Sequence, residues 1–175
     1  NDTELEEVRQ HMNKVVRNLN YVGVLYAGIM KTADGIFFLE FNCRFGDPEA
    51  QVILNLLEND LASVFMSCVN NEPIDVSWHA EYAAAVVISH QDYPISKLSR
   101  PVKMSIGDLD DNVAIYDANV TYQDAIPYTT GGRVLTLVSV SQTLGRALEN
   151  VYENASKIAY DGVYYRRDIG CNVME

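Results

Sequence analysis

The chain has 175 residues, 24 acidic against 13 basic, a formal charge of −11 and 48% hydrophobic residues. That is enough material for one good core or two small ones, and the acidic balance excludes general nucleic-acid binding, which needs a basic face. Three cysteines at unrelated spacings and three histidines without a zinc pattern argue for reduced thiols and a cytoplasmic setting, and no secretory signal or apolar run of about 18 residues supports export or a membrane span.

Thr3 followed by Glu6 has the form of a capping box, and Leu5, Val8, Met12, Val15, Val16 and Leu19 recur at helical spacing. A helix over residues 3–19 is expected, with His11 beside its apolar stripe as a packed or half-exposed residue rather than a ligand. Residues 21–30 and the run from Ile36 read as two strands joined at Asp34-Gly35, whose glycine tolerates the positive φ of a tight turn. Alternation then sets Phe37, Leu39 and Phe41 on one face and Phe38, Glu40 and Asn42 on the other, with Arg44 next in that series. Neighbours on one face are about 7 Å apart, so Glu40 and Asn42 can share a hard cation through oxygen atoms.

Asp47-Pro48-Glu49 has the grammar of a helix start, with Asp47 as the cap and Val52, Ile53, Leu56 and Leu57 as a buried stripe. Arg44, just ahead of it, is a cation placed to favour an anion. Asn59-Asp60 recaps a second helix through Leu61, Val64, Phe65 and Cys68, ending at Asn70-Asn71. The polar, proline-marked residues 72–79 form a boundary. Beyond it, β-branched runs at 82–89, 102–106, 113–117, 120–123 and 134–140 predict a small antiparallel sheet or open barrel. A helix over 143–160, capped by Ser141, covers one face of that sheet. Thr130-Gly131-Gly132-Arg133-Val134-Leu135 puts a glycine pair and an arginine at a strand entrance, and Tyr164-Tyr165-Arg166-Arg167-Asp168-Ile169-Gly170 puts two arginines in an irregular tail. The fold class expected is α+β.

The run Leu39-Glu40-Phe41-Asn42-Cys43-Arg44-Phe45-Gly46-Asp47-Pro48-Glu49, preceded by Gly23-Val24-Leu25-Tyr26-Ala27-Gly28, resembles the signature of the phosphoribosylamine–glycine ligase family, part of the ATP-grasp superfamily. The Gly-Gly-Arg turn and the tyrosine–arginine tail resemble the C-terminal domain of the same family in spacing and order. The resemblance implies that residues 1–75 are the C-terminal part of an ATP-grasp domain and residues 76–175 a C-terminal ligase domain, in a chain that starts partway through the ATP-binding domain. It implies ATP-dependent ligation of glycine to 5-phosphoribosylamine in purine synthesis, through a glycyl phosphate, giving glycinamide ribonucleotide, ADP and phosphate. The residues carried over are Glu40 and Asn42 as ligands of the Mg²⁺ (or Mn²⁺) that accompanies ATP, and the position of Arg44 beside them makes it the candidate catalytic cation. Arg133, Arg166 and Arg167 become candidates to hold the ribose 5-phosphate, because a guanidinium fork suits phosphate oxygens, with a structural role as the alternative. The partners implied are glycine, phosphoribosylamine and ATP, with no nucleic acid or membrane, and the oligomeric state stays open, a monomer included.

Two segments depart from the family pattern. Asp92-Tyr93-Pro94-Ile95 stands where relatives carry Gly-Tyr-Pro-Gly, and Asp117-Ala118-Asn119-Val120 where they carry His-Ala-Gly-Thr. Lost glycines imply different turns there. The other readings open at this point are a different ATP-grasp carboxylate–amine ligase and a non-catalytic C-terminal module, with the 175 residues alone expected to be folded and inactive.

Overall fold

The computed structural model describes residues 2–95 and 100–173. One unit of the chain comprises Asn1–Asp47 with Leu57–Trp78, and the other Pro48–Leu56 with His79–Glu175. The first unit opens with helix α1 (Asp2–Leu19), whose acidic first turn and Arg17 in the last turn complement the helix dipole. Thr3 lies inside this helix rather than capping it, and Glu6 is engaged one turn on, by Arg9 at 2.8 Å and Gln10 at 3.2 Å. Strand β1 (Tyr26–Thr32) starts later than expected, because Gly23 at φ 134° turns the chain first and the Tyr21 hydroxyl donates to the Val24 carbonyl at 2.9 Å. Strand β2 (Gly35–Asn42) pairs antiparallel with it, Thr32 opposite Gly35, so the loop residues are Ala33 and Asp34. The glycine is still required: it opens β2 at φ 128°. Lys31 Nζ lies 2.8 Å from the Glu4 carboxylate, and the exposed His11 ring sits 5.2 Å from that of Phe38, which ties α1 to the hairpin.

The short helix α2 (Glu49–Ile53) belongs to the second unit. Pro48, not Asp47, occupies its N-cap position and no side chain caps it, so the helix begins one residue later than its sequence grammar suggests. Helix α3 (Leu61–Val69) returns to the first unit and starts as expected, with the Asp60 carboxylate accepting from Ser63 N–H at 2.8 Å.

The second unit is built on β3 (Tyr82–His90). Then come β4 (Val102–Lys103) and β5 (Ser105–Ile106), split at the buried Met104, where a single strand was expected. Strands β6 (Val113–Asp117) and β7 (Val120–Gln123) have the expected bounds. Strand β8 (Ile126–Thr129) lies outside the expected runs and carries Pro127, which removes a ladder donor. It is entered through Asp124 and Ala125, both at positive φ, the mirror-image hairpin turn made here without glycine. Strand β9 (Arg133–Ser141) is followed by α4 (Leu144–Ala155), capped by Thr143 rather than Ser141. The expected end of that helix is instead β10 (Ile158–Ala159), which pairs with β5, and β11 (Val163–Tyr164) leads into the tail.

Among the described residues every strand pairing is antiparallel, and the second unit holds a four-stranded sheet in the order β11-β3-β9-β6 and a three-stranded one in the order β4-β8-β7. Helix α4 packs on β3 and β9. Ala84, Val86 and Ile88 of β3, Leu135 and Leu137 of β9, and Ala147, Leu148, Val151 and Ala155 of α4 are all at most 8% exposed and form one cluster. Each of the larger side chains there contributes about 1.5–3 kcal/mol by its burial. The architecture is thus the α+β one expected, a hairpin with helices and an antiparallel lobe with one covering helix. No helix among the described residues is long and apolar enough to cross a membrane.

Candidate functional site

In β2 the alternation is interrupted. Gly28 pairs with Glu40 but Ile29 pairs with Phe38, so Leu39 is an extra residue, a β-bulge. Paired residues share a face; Glu40 and Asn42 therefore stand with Gly28 and Tyr26, while Phe38 joins Phe41 on the opposite face. The two rings are stacked there at 5.6 Å. This corrects the faces expected for Phe38 and Phe37: Phe38 leaves the face that Glu40 and Asn42 keep, and Phe37, paired with Met30, joins it. Gly28 makes room for the carboxylate: a Cβ at that position would come 3.0 Å from Glu40 Cγ.

The donor set on this face is one carboxylate and one amide oxygen. No group of three or more His, Cys, Asp or Glu side chains among the described residues could hold a metal ion. Two hard oxygen ligands fit a small divalent cation that keeps waters and phosphate oxygens in its remaining positions; they do not fit a closed protein cage. Arg44, the predicted catalytic cation, is exposed and donates from Nη1 to the Phe45 carbonyl at 2.8 Å.

A second bulge lies in β9. Ile88 pairs with Leu135 but Ser89 pairs with Arg133, which makes Val134 the extra residue. Without it Arg133 would share the face of Leu135 and Leu137, under α4. With it, Arg133 shares the face of Ser89. Both line a cavity of about 330 Å³, together with Tyr93, Tyr164, Arg166 and Ile169. Arg166 is held bidentately by Asp168, Nε to Oδ1 at 2.9 Å and Nη2 to Oδ2 at 2.7 Å. The guanidinium hydrogen bond keeps the Asp168 carboxyl below its usual range. Arg167 points elsewhere: its guanidinium carbon lies 4.9 Å from the Tyr165 ring centroid, in a groove with Ser156, Ile158 and Val163. Of the three arginines predicted to share one anion, the structure brings two to one cavity and sets the third apart.

Two further side chains pack on the glycine pair ahead of Arg133, and one of them, Tyr93, lines the cavity. Tyr93 packs directly over Gly132, where an added Cβ would run into its ring, and the Asn119 side chain covers Gly131, where a Cβ would meet Asn119 Cγ at 2.5 Å. Asn119 Nδ2 also donates to the Arg133 carbonyl at 2.6 Å. The glycine pair is needed for these close approaches rather than for positive φ, which neither residue has. Both covering side chains come from the two segments where the sequence departs from its family, and that coincidence was the one signal that could have found them.

The hairpin with oxygen donors on one face, followed by an antiparallel lobe with one covering helix, defines a chain of the ATP-grasp kind. The description "Phosphoribosylglycinamide synthetase, ATP-grasp (A) domain" matches residues 2–50, and "Phosphoribosylglycinamide synthetase, C domain" matches residues 83–172. The chain belongs to the phosphoribosylglycinamide synthetase family. It is 37% identical over 155 residues to the phosphoribosylamine–glycine ligase of Halalkalibacterium halodurans, covering 89% of this chain and 36% of that protein. With the trifunctional purine biosynthetic protein adenosine-3 of Gallus gallus it shares 37% over 183 residues, 97% of this chain and 17% of that one. The crystal structure of phosphoribosylamine–glycine ligase from Thermotoga maritima superposes with a TM-score of 0.77 at 28% identity, covering 96% of this chain and 42% of that one. Biotin carboxylase from Campylobacter jejuni shares the fold, with a TM-score of 0.70 at 13% identity over 98% of this chain and 42% of that one. The chain thus spans well under half the length of these relatives.

Proposed function

We propose that these residues are part of a protein that ligates glycine to 5-phosphoribosylamine with cleavage of ATP, residues 1–75 belonging to the ATP-grasp domain and residues 76–175 to the C-terminal ligase domain. The observation that carries the reading is the pairing of Glu40 and Asn42 on one face of β2, opposite Gly28 and Tyr26, inside the stretch that matches the ATP-grasp domain. The likeness to named phosphoribosylamine–glycine ligases on both sides of residue 76 supports the choice of substrates. Glu40 and Asn42 would hold the divalent cation, Mg²⁺ or Mn²⁺, that accompanies ATP, and when bound that cation neutralises charge on the phosphate oxygens. Arg44 adds a positive charge two residues beyond Asn42. Arg133 and Arg166 offer guanidinium groups to the ribose 5-phosphate from one cavity, while Arg167 braces the tail against Tyr165. This division of labour needs no protein nucleophile, because phosphoryl transfer rests on positioning and charge stabilisation. A cytoplasmic setting agrees with three unpaired cysteines.

The test is Glu40→Gln in the full-length protein. It removes the one charged ligand while keeping shape, so the magnesium concentration needed for half-maximal activity should rise and excess magnesium should recover part of the rate. Wild-type activity with unchanged magnesium dependence would remove Glu40 from the metal.

A further inference from the structure

The segment that carries Arg166 is fastened to α4 at three points. The Tyr152 hydroxyl donates to the Arg166 carbonyl at 2.9 Å and accepts from the Ile169 N–H at 3.0 Å, so one oxygen ties both ends of residues 166–169. The Tyr152 ring lies 6.4 Å from that of Tyr165. One turn earlier on α4, Leu148 packs behind Gly170, which sits at φ 78° and where a Cβ would come 2.8 Å from Leu148 Cδ1. Burial pushes the Tyr152 phenol up, so its hydroxyl remains a donor throughout the neutral range. Within this fastened segment the Arg166 guanidinium is braced along its Nε–Nη2 edge by Asp168. That leaves Nη1 and the second hydrogen of Nη2 for an anion.

We propose that Tyr152 is a positioning residue for phosphate recognition: its hydroxyl fixes the backbone of residues 166–169 so that the Asp168-braced guanidinium of Arg166 meets a phosphate monoester in the cavity it shares with Arg133. The proposal rests on the reading that this cavity takes the substrate's phosphate, and it adds how the site is kept ready. An arginine on an irregular tail loses rotamer freedom when it binds, and a tail already immobilised loses less, which raises affinity without any new contact to the ligand. Tyr152 itself does not line that cavity, so its effect acts through the segment it fastens, whose Arg166 and Ile169 do.

The test uses the 175-residue chain with ribose 5-phosphate as probe, followed by NMR of backbone amides and arginine Nε–H groups. Wild type should show saturable shifts at Ser89, Tyr93, Arg133 and Arg166. Tyr152→Phe keeps the ring and removes both hydrogen bonds; it should bind about tenfold more weakly, the equivalent of ~1.4 kcal/mol, with a broadened Arg166 Nε–H signal even without ligand. Equal affinity and an unchanged Arg166 signal in the variant overturn the positioning role. A wild-type chain that shows no shift in the cavity overturns the phosphate reading and this proposal with it, and the wild-type titration alone tells that failure from the other. Hydrogen exchange on wild type is a second measurement that does not depend on the variant folding: Ile169 N–H should exchange slowly and slow further with ribose 5-phosphate, and fast, ligand-independent exchange counts against the proposal.

Discussion

Gly132→Ala isolates one contact that shapes the cavity. The backbone at Gly132 is not at positive φ, so alanine brings no conformational strain, and the whole effect lies in the Cβ that would overlap the Tyr93 ring. Overpacking of this kind costs about 1–3 kcal/mol. Tyr93 is 44% exposed and can swing outward, which puts the expected loss near the lower end, ~1 kcal/mol. For a unit of this size that lowers Tm by about 4–8 °C. The decisive measurement is a double-mutant cycle by thermal and urea unfolding of the 175-residue chain. In a Tyr93→Ala background the ring is gone, and Gly132→Ala should be close to neutral, leaving a coupling of about 1 kcal/mol. The same loss in both backgrounds would show that alanine acts on something other than Tyr93, and the account of the glycine pair as a seat for neighbouring side chains would fall. Gly131→Ala should cost more, because Asn119 cannot yield without also giving up its 2.6 Å hydrogen bond to the Arg133 carbonyl.

In the full-length protein, Arg166→Ala should raise the KM for phosphoribosylamine by the equivalent of about 1.5–3 kcal/mol, the range for hydrogen bonds to a charged group, and spare those for ATP and glycine. Arg167→Ala should do much less, since that guanidinium lies over Tyr165 in another groove, and equal effects from the two would contradict the division. Thr143→Ala removes the side-chain cap of α4 and should cost about 1 kcal/mol in chemical denaturation, whereas Ser141→Ala should be nearly silent; the reverse order would restore Ser141 as the cap. The Asp110 carboxyl is held below its usual range by hydrogen bonds from Asn154 and then Lys157. Its contribution is therefore present above the unfolded pKa and lost as pH falls through the lower folded value, so Asp110→Asn should flatten the acid limb of a Tm-against-pH curve and an unaltered limb would exclude that role.

Periodicity made most elements legible. A helical stripe marked α1, a capping aspartate marked α3, and β-branched runs marked β6 and β7 to the residue. What stayed hidden has identifiable physics. Strand β8 carries Pro127, which removes a ladder donor, and follows Asp124 and Ala125, which adopt positive φ without the glycine that usually announces it. Ile158 and Ala159 continue the apolar spacing of α4 and yet pair with β5, because two apolar residues after a helix serve either structure and the partner strand decides.

The hidden feature that matters for the site is the pair of bulges. Period-2 reasoning assumes one residue per ladder step, and a single extra residue reverses every facing on one side of it. At Leu39 the reversal sends Phe38 to Phe41 and leaves Glu40 and Asn42 on a face shared with Gly28. At Val134 it sends Arg133 out of the hydrophobic face of Leu135 and Leu137, where burying a charge would be costly, and over to Ser89 and the cavity. In both strands the polar group lies next to the inserted residue and the apolar run lies beyond it. A strictly alternating strand would have to choose between burying its apolar residues and presenting its polar one. One extra residue lets β9 do both, with Val134, Leu135 and Leu137 fully buried and Arg133 turned to the cavity. In β2, whose Phe37, Leu39 and Phe41 stay exposed, it instead regroups side chains between the two faces and keeps the two oxygen donors together.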